Sequence, residues 1–312
     1  MRLGRPGFRT LVAALGGMWA SLAGAQPAMR TIVGHPLTIR VGSDTSMQVV
    51  DDRFEFAPSP VFFPECISGG PATGDSGVLV RVSGALYGPD FPNHACGTQL
   101  GGLVLTPWTA VSISDVTGLG TSADPFQVVM VADAGSSGLR LTETVQYVNG
   151  TGQLRPILRF SNVGSANLTW DTFLAVNFGF LAFPILEIGR PGLHHAFKLG
   201  SPFPTCAPLA YRILLPAADR YSVDIVTDSW GEIQAGDLTD TLYAGCPSSG
   251  AATEWVDRSL APGQALVLSP NSGITFLASG AAASSVPTLS GVGLAALSIG
   301  LAAAGWLAMR TA

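Results

Sequence analysis

Lysine is almost absent from this chain: Lys198 is the one lysine among 312 residues, and charged residues of every kind make up 12%. Helical proteins line their wet faces with Glu, Lys and Arg, so this scarcity argues against a helical fold. With 16 basic against 21 acidic residues and a net charge of −5, the basic footprint of a nucleic-acid binder is missing too. Cysteine is scarce, at four, and no two cysteines stand close together. His94 precedes Cys96 without the paired knuckle of a zinc module, so a structural zinc site is excluded.

Glycine and proline are plentiful, at 38 and 22, in a chain that is 47% hydrophobic. That composition describes many short strands joined by turns. We therefore expect an all-β fold, an antiparallel β-sandwich built as one large unit or two smaller ones across residues 26–285. The Pro- and Gly-rich stretch 183–208 is the place where two units would divide.

The clearest strand pattern begins at Leu139. Leu139, Leu141, Val145 and Tyr147 alternate with Arg140, Thr142, Thr144 and Gln146; the run Asn149-Gly150-Thr151-Gly152 then accepts positive φ, and Leu154, Leu158 and Phe160 resume the alternation. This is a hairpin. Glu143 falls on its apolar side, and Pro156 removes one ladder donor, which predicts an edge position or a bulge. A turn at 162–165 and the run Leu168, Trp170, Thr172, Leu174 and Val176 predict a third strand of the same meander. Further strands are expected near 37–41, 78–82, 102–113, 126–132, 211–215, 221–227 and 265–268. No internal repeat is found.

Candidate chemistry is thin. Gly74-Asp75-Ser76-Gly77 resembles the sequence around the nucleophile of chymotrypsin-like serine proteases, but only His35 precedes Ser76, too close for the required fold, and a turn explains the four residues. His194 and His195 would point to opposite faces of a strand. Asp51, Asp52, Asp219, Asp224, Asp228, Asp237 and Asp240 are scattered and lack the spacing of a calcium loop. No catalytic, cofactor-binding or metal residue is assigned. Trp108, Trp170, Trp230 and Trp255 would make a sugar-stacking platform if they lay exposed on one sheet face, the mark of a carbohydrate-binding adhesin. A hydrolase would need a convergent acid/base pair in a cleft, which the sequence does not assemble.

The two ends predict location. Arg2, Arg5 and Arg9 precede an apolar run that closes on Ala23-Gly24-Ala25, the layout of a signal peptide over 1–25 with cleavage after Ala25. In an oxidising compartment, Cys66, Cys96, Cys206 and Cys246 imply disulfides. Three pairings are possible, and the sequential one closes two local loops. At the other end residues 292–309 carry no charge and would cover roughly 27 Å as a helix, enough to span a bilayer as a single anchor. Arg310 beyond it places the tail in the cytoplasm and the bulk of the chain outside.

Val286-Pro287-Thr288-Leu289-Ser290, followed by Gly293, the apolar span and a terminal basic residue, resembles the IPTL-CTERM sorting signal, a relative of the PEP-CTERM signals of Gram-negative bacteria. The resemblance covers residues 286–312. It implies an exported, non-enzymatic protein held at the inner membrane by its tail. It further implies an exosortase-like enzyme and membrane lipid as partners, with transfer to the cell surface or its extracellular polysaccharide.

Overall fold

The computed structural model describes residues 27–52, 76–91, 103–177, 185–190, 193–194, 211–216, 218–242, 249–268 and 273–278. The expected leader with Ala23 and Ala25, the cysteines Cys66, Cys96, Cys206 and Cys246, and the tail with Val286, Pro287, Thr288, Leu289 and Ser290 lie outside them.

The hairpin forms as its alternation dictates. β9 (Leu139–Tyr147) pairs with β10 (Gln153–Asn162) without a break, from Leu154 opposite Tyr147 to Asn162 opposite Leu139. β8 (Phe126–Asp133) lies on the far side of β9, and β7 (Thr109–Ile113) beyond β8. On the other flank of β10 run β18 (Ala265–Leu268) and β19 (Ile274–Ala278). β14 (Tyr211–Leu215), β12 (Ile185–Arg190) and β13 (Leu193–His194) complete this sheet.

Two expectations about the hairpin fail here. β10 is central and unbulged, not an edge strand; β19 pairs with residues 153–154 and β18 with 158–161, so the donor missing at Pro156 falls beside a gap between the two partners. Nor does the chain continue as a meander. β11 (Leu168–Asn177) leaves for a second sheet, between β17 (Ser249–Leu260) and β4 (Gly77–Val82). That sheet also holds β15 (Arg220–Ile225) with β16 (Thr241–Leu242), and β5 (Ala85–Gly88) with β6 (Thr106–Pro107). The three outer pairs β5–β6, β15–β16 and β12–β14 are parallel, so the sheets are mixed.

The two sheets bury a shared apolar layer. Val128, Met130, Leu141, Val145, Leu158 and Phe160 from the first meet Val78, Val80, Trp170, Leu174 and Trp255 from the second. A three-stranded sheet of β1 (Met29–Val33), β2 (Leu37–Gly42) and β3 (Met47–Asp51) adds Ile32, Leu37, Ile39, Val41, Met47 and Val49 to that layer. The fold is all-β and sandwich-like, with one helix among the described residues, α1 (Val226–Ala235). α1 covers the outer face of the second sheet, where Trp230 and Ile233 pack with Leu79, Phe173 and Ala252.

The chain passes between the sheets beside Asn162, whose side chain is buried. Its Nδ2 donates to Ala166 O at 2.7 Å and to Leu260 O at 3.0 Å, while Oδ1 accepts from Gly164 N at 3.0 Å. Asn162→Ala leaves these backbone groups unpaired, at about 1 to 3 kcal/mol for each one that stays buried. Denaturant unfolding is expected to show a loss within or above that range. A loss below about 0.5 kcal/mol would show that the corner does not depend on this side chain.

Candidate functional site

The outer face of the second sheet carries a row of charged side chains under the end of α1. Arg81 on β4 is paired in register with Asp171 on β11, and Glu254 on β17 with Arg220 on β15. Polar residues can sit here because α1 stops short of them. The helix ends at Gly236, which takes φ +81 and whose N–H donates to Glu232 O at 2.9 Å. A side chain at Gly236 would strike the Arg81 guanidinium. That guanidinium donates from Nη2 to Ile233 O at 2.8 Å and Gln234 O at 2.6 Å, placing a cation on the negative end of the helix.

The turn after α1 brings backbone down onto Glu254. Leu238 N–H donates to Glu254 Oε2 at 2.9 Å, and Glu254 is only 1% exposed. Its Oε1 is buried with no hydrogen-bond partner, as are Arg81 Nε and Arg258 Nε, three of six such atoms among the described residues. Around it Asp219 Oδ2 accepts from Arg258 Nη2 at 2.6 Å and from Val256 N at 2.9 Å; Asp171 Oδ1 accepts from Asp257 N at 2.8 Å; Arg220 pairs with Asp237.

Electrostatics sets Glu254 near neutrality. Burial pushes its carboxyl up, the Leu238 N–H pulls it down, Asp171 pushes up, Arg220 pulls down and Asp219 pushes up, with the outcome at about 7. A carboxyl poised there exchanges protons at physiological pH, which general acid–base chemistry requires.

A second buried acid lies in the sandwich itself. Glu143, 1% exposed on β9, is held at about 8 by burial and by the charge of Asp44. Glu143 Oε2 has no hydrogen-bond partner.

Of the residues singled out in the sequence, Asp219, Asp237 and Asp240 come together around the Glu254 turn, with Asp240 Oδ1 accepting from Tyr221 N at 3.1 Å. Asp51 is buried on β3, and Asp52 Oδ2 lies 2.6 Å from His35 Nδ1 on the surface. Ser76 is buried where the chain enters β4, and its carbonyl accepts from Met47 N at 2.8 Å. His194 ends in β13, and His195 lies outside the described residues. Among the described residues no cluster of His, Cys, Asp and Glu could hold a metal ion. Trp108, Trp170, Trp230 and Trp255 are all buried, which overturns the stacking platform and the adhesin reading built on it. Glu254 carries no mark in the sequence, because its partners arrive from β11, β15 and the turn after α1.

No family model matches the chain, and no curated relative does. Among solved structures it is similar to a candidate aldose 1-epimerase from Escherichia coli K12, at 13% identity and TM-score 0.41, over 80% of this chain and 98% of that one. A candidate aldose 1-epimerase from Klebsiella pneumoniae follows at 12% identity and TM-score 0.35, over 78% of this chain and 76% of that one. Likenesses of this size assign no activity. The expectation of a non-enzymatic protein delivered to an exosortase-like enzyme is withdrawn. The expected inner-membrane anchoring is corrected as well: no helix among the described residues is long and apolar enough to cross a membrane, and the span expected at 292–309 lies outside them.

Glu143 and Glu254 both hold protons in the folded chain that the unfolded chain has released. Each folded value stands above the ordinary 4.5, so the stabilisation is complete below pH 4.5 and is lost as pH rises to about 7 for Glu254 and about 8 for Glu143. Urea unfolding at pH 5, 6, 7 and 8 is expected to show falling stability, with Glu143→Gln plus Glu254→Gln flattening the slope. Stability that rises across this window would refute the assignment of protons to these two groups.

Proposed function

We propose that this chain is an acid–base enzyme that moves a proton on a neutral, hydroxyl-bearing small molecule, with Glu254 as the transferring group. One observation carries the reading: Glu254 sits near pH 7 with Oε2 fixed by Leu238 N–H and Oε1 buried without a partner. A proton-transfer group needs a fixed direction and a protonation state that changes at working pH, and Glu254 has both. Substrate charge follows from the surrounding ion pairs. Arg258 is engaged by Asp219 and Arg220 by Asp237, so an anionic group would have to displace a carboxylate already in place. A hydroxyl fits better, because it both donates and accepts beside a carboxyl.

A cyclic hemiacetal is the first probe, since its ring opening needs one proton delivered and one removed. Optical rotation of a freshly dissolved aldohexose is expected to relax faster with the protein than in buffer, with an inflection near pH 7. Glu254→Gln is expected to lower that catalysed rate by about 100-fold or more while the protein stays folded. A folded Glu254→Gln variant with an unchanged rate, or a wild type no faster than buffer, would rule out this reading.

A further inference from the structure

Arg81 stands two strands away from Glu254 and still bears on it, through the end of α1. The row that holds Glu254 runs from Arg220 on β15 through Glu254 on β17 and Phe173 on β11 to Leu79 on β4. Arg81 lies on the same face of β4, two residues beyond Leu79, so roughly 10 Å of sheet separates it from Glu254. Its side chain turns toward the helix. Nη2 donates to Ile233 O at 2.8 Å and to Gln234 O at 2.6 Å, carbonyls of the last turn, where partners inside the helix run short. Four residues past Gln234, the Leu238 N–H donates to Glu254 Oε2 at 2.9 Å. Where the helix stops therefore sets where that donor points.

The helix end and its turn have other attachments, and they act elsewhere. Gly236 N and Asp237 N donate to Glu232 O, and Thr239 N and Oγ1 to the Glu232 carboxylate, all within the segment itself. Val104 N donates to Gln234 Oε1 at 2.7 Å, a side-chain atom, and Tyr221 N to Asp240 Oδ1 at 3.1 Å, beyond Leu238. Asp237 pairs with Arg220, β16 pairs with β15, and Ile233 and Leu238 pack in the apolar cluster under the helix. Arg81 alone in this set ties the main chain of the last turn to β4.

The elements around Glu254 carry many charges: Asp171 of β11, Asp219 and Arg220 at the start of β15, Asp257 and Arg258 of β17, Asp228 and Glu232 of α1, and Asp237 and Asp240 of the turn. The Leu238 N–H is the neutral donor among them, and it favours the ionised carboxylate.

We propose that Arg81 is a positioning residue for Glu254: by holding the end of α1 on β4 it keeps the Leu238 N–H on Glu254 Oε2. It thereby fixes the direction and the proton affinity of the carboxyl, a role that rests on the reading of Glu254 as the proton-transferring group. Without the brace the N–H withdraws, the ionised form loses its donor, and the carboxyl keeps its proton to higher pH.

Two measurements on the full chain need no turnover, so they decide the positioning whether or not the sugar assay succeeds. One is the pH midpoint of the Glu254 carboxyl carbon resonance, identified by its loss in Glu254→Gln; the other is hydrogen exchange of the Leu238 amide. Arg81→Met, which keeps the length and removes the donors, is expected to raise the midpoint by about 0.5 to 1 pH unit and to speed Leu238 exchange about tenfold. Amides of residues 153–162 are expected to keep their rates. Arg81→Lys, which can still donate to the same carbonyls, is expected to return both quantities toward wild type. A raised midpoint in Arg81→Met with the Leu238 amide still protected would show the Arg81 charge acting directly and overturn the proposal, as would two unchanged quantities. If Arg81→Met does not fold, Arg81→Gln, which keeps one donor group, decides by the same two measurements.

Discussion

Two of the crossings between the two sheets, β10 to β11 and β17 to β18, run past Asn162, and the sandwich depends on that corner. β10 ends at Asn162 and β11 begins at Leu168 in the other sheet; β17 ends at Leu260 and β18 begins at Ala265 in the first. One amide side chain reaches the backbone of both connections, at Ala166 and at Leu260, and its own main chain bonds Gly263 and Gln264. Without that amide the buried Leu260 carbonyl would lose its side-chain donor. With the corner closed, Phe160 and Trp170, on either side of it, meet across the core with ring centroids 5.5 Å apart. The inner layer can then fill from both sheets.

The hairpin was legible because its period of two is nearly perfect. Every second residue from Leu139 to Tyr147 is buried, Glu143 included, as the alternation requires. The partner strands were harder to read. Alternation fixes which face of a strand is buried but not which sheet it joins, so β11 looked like the third strand of a meander. Its Trp170, Thr172, Leu174 and Val176 do line an inner face; it is the inner face of the opposite sheet. The helix α1 escaped notice for a local reason. It follows β15 directly, and its first residues, Val226 and Thr227, extend the strand-like run before it, with no turn residue to mark the change. The tryptophans illustrate a further limit, since an aromatic platform and an aromatic core have the same composition, and only the sheet assignment separates them.

Glu254 was invisible for a different reason. β17 reads Ser-Gly-Ala-Ala-Thr-Glu-Trp-Val, with small residues on both faces of its first half, and nothing in that run marks the glutamate as buried. What buries it is the turn after α1, brought into place by Gly236 and by the Arg81 guanidinium, neither of which is near it in sequence. A site assembled from one strand, a helix end and a neighbouring strand has no local signature.

The two buried glutamates differ because their layers differ in what backbone they can offer. Inside the sandwich, strand N–H and C=O groups pair within their own sheets, so Glu143 finds no donor for Oε2 and meets only the charge of Asp44. Burial and that charge push its carboxyl up to about 8. On the outer face, the turn that terminates α1 frees an N–H at Leu238, and Arg220 from the adjacent strand supplies a cation. Those two pulls oppose burial and the charges of Asp171 and Asp219, and the balance leaves Glu254 able to gain or lose its proton near neutrality. A carboxyl held in balance suits proton transfer. The same residue type reaches both ends through the number of backbone donors that each layer leaves unpaired.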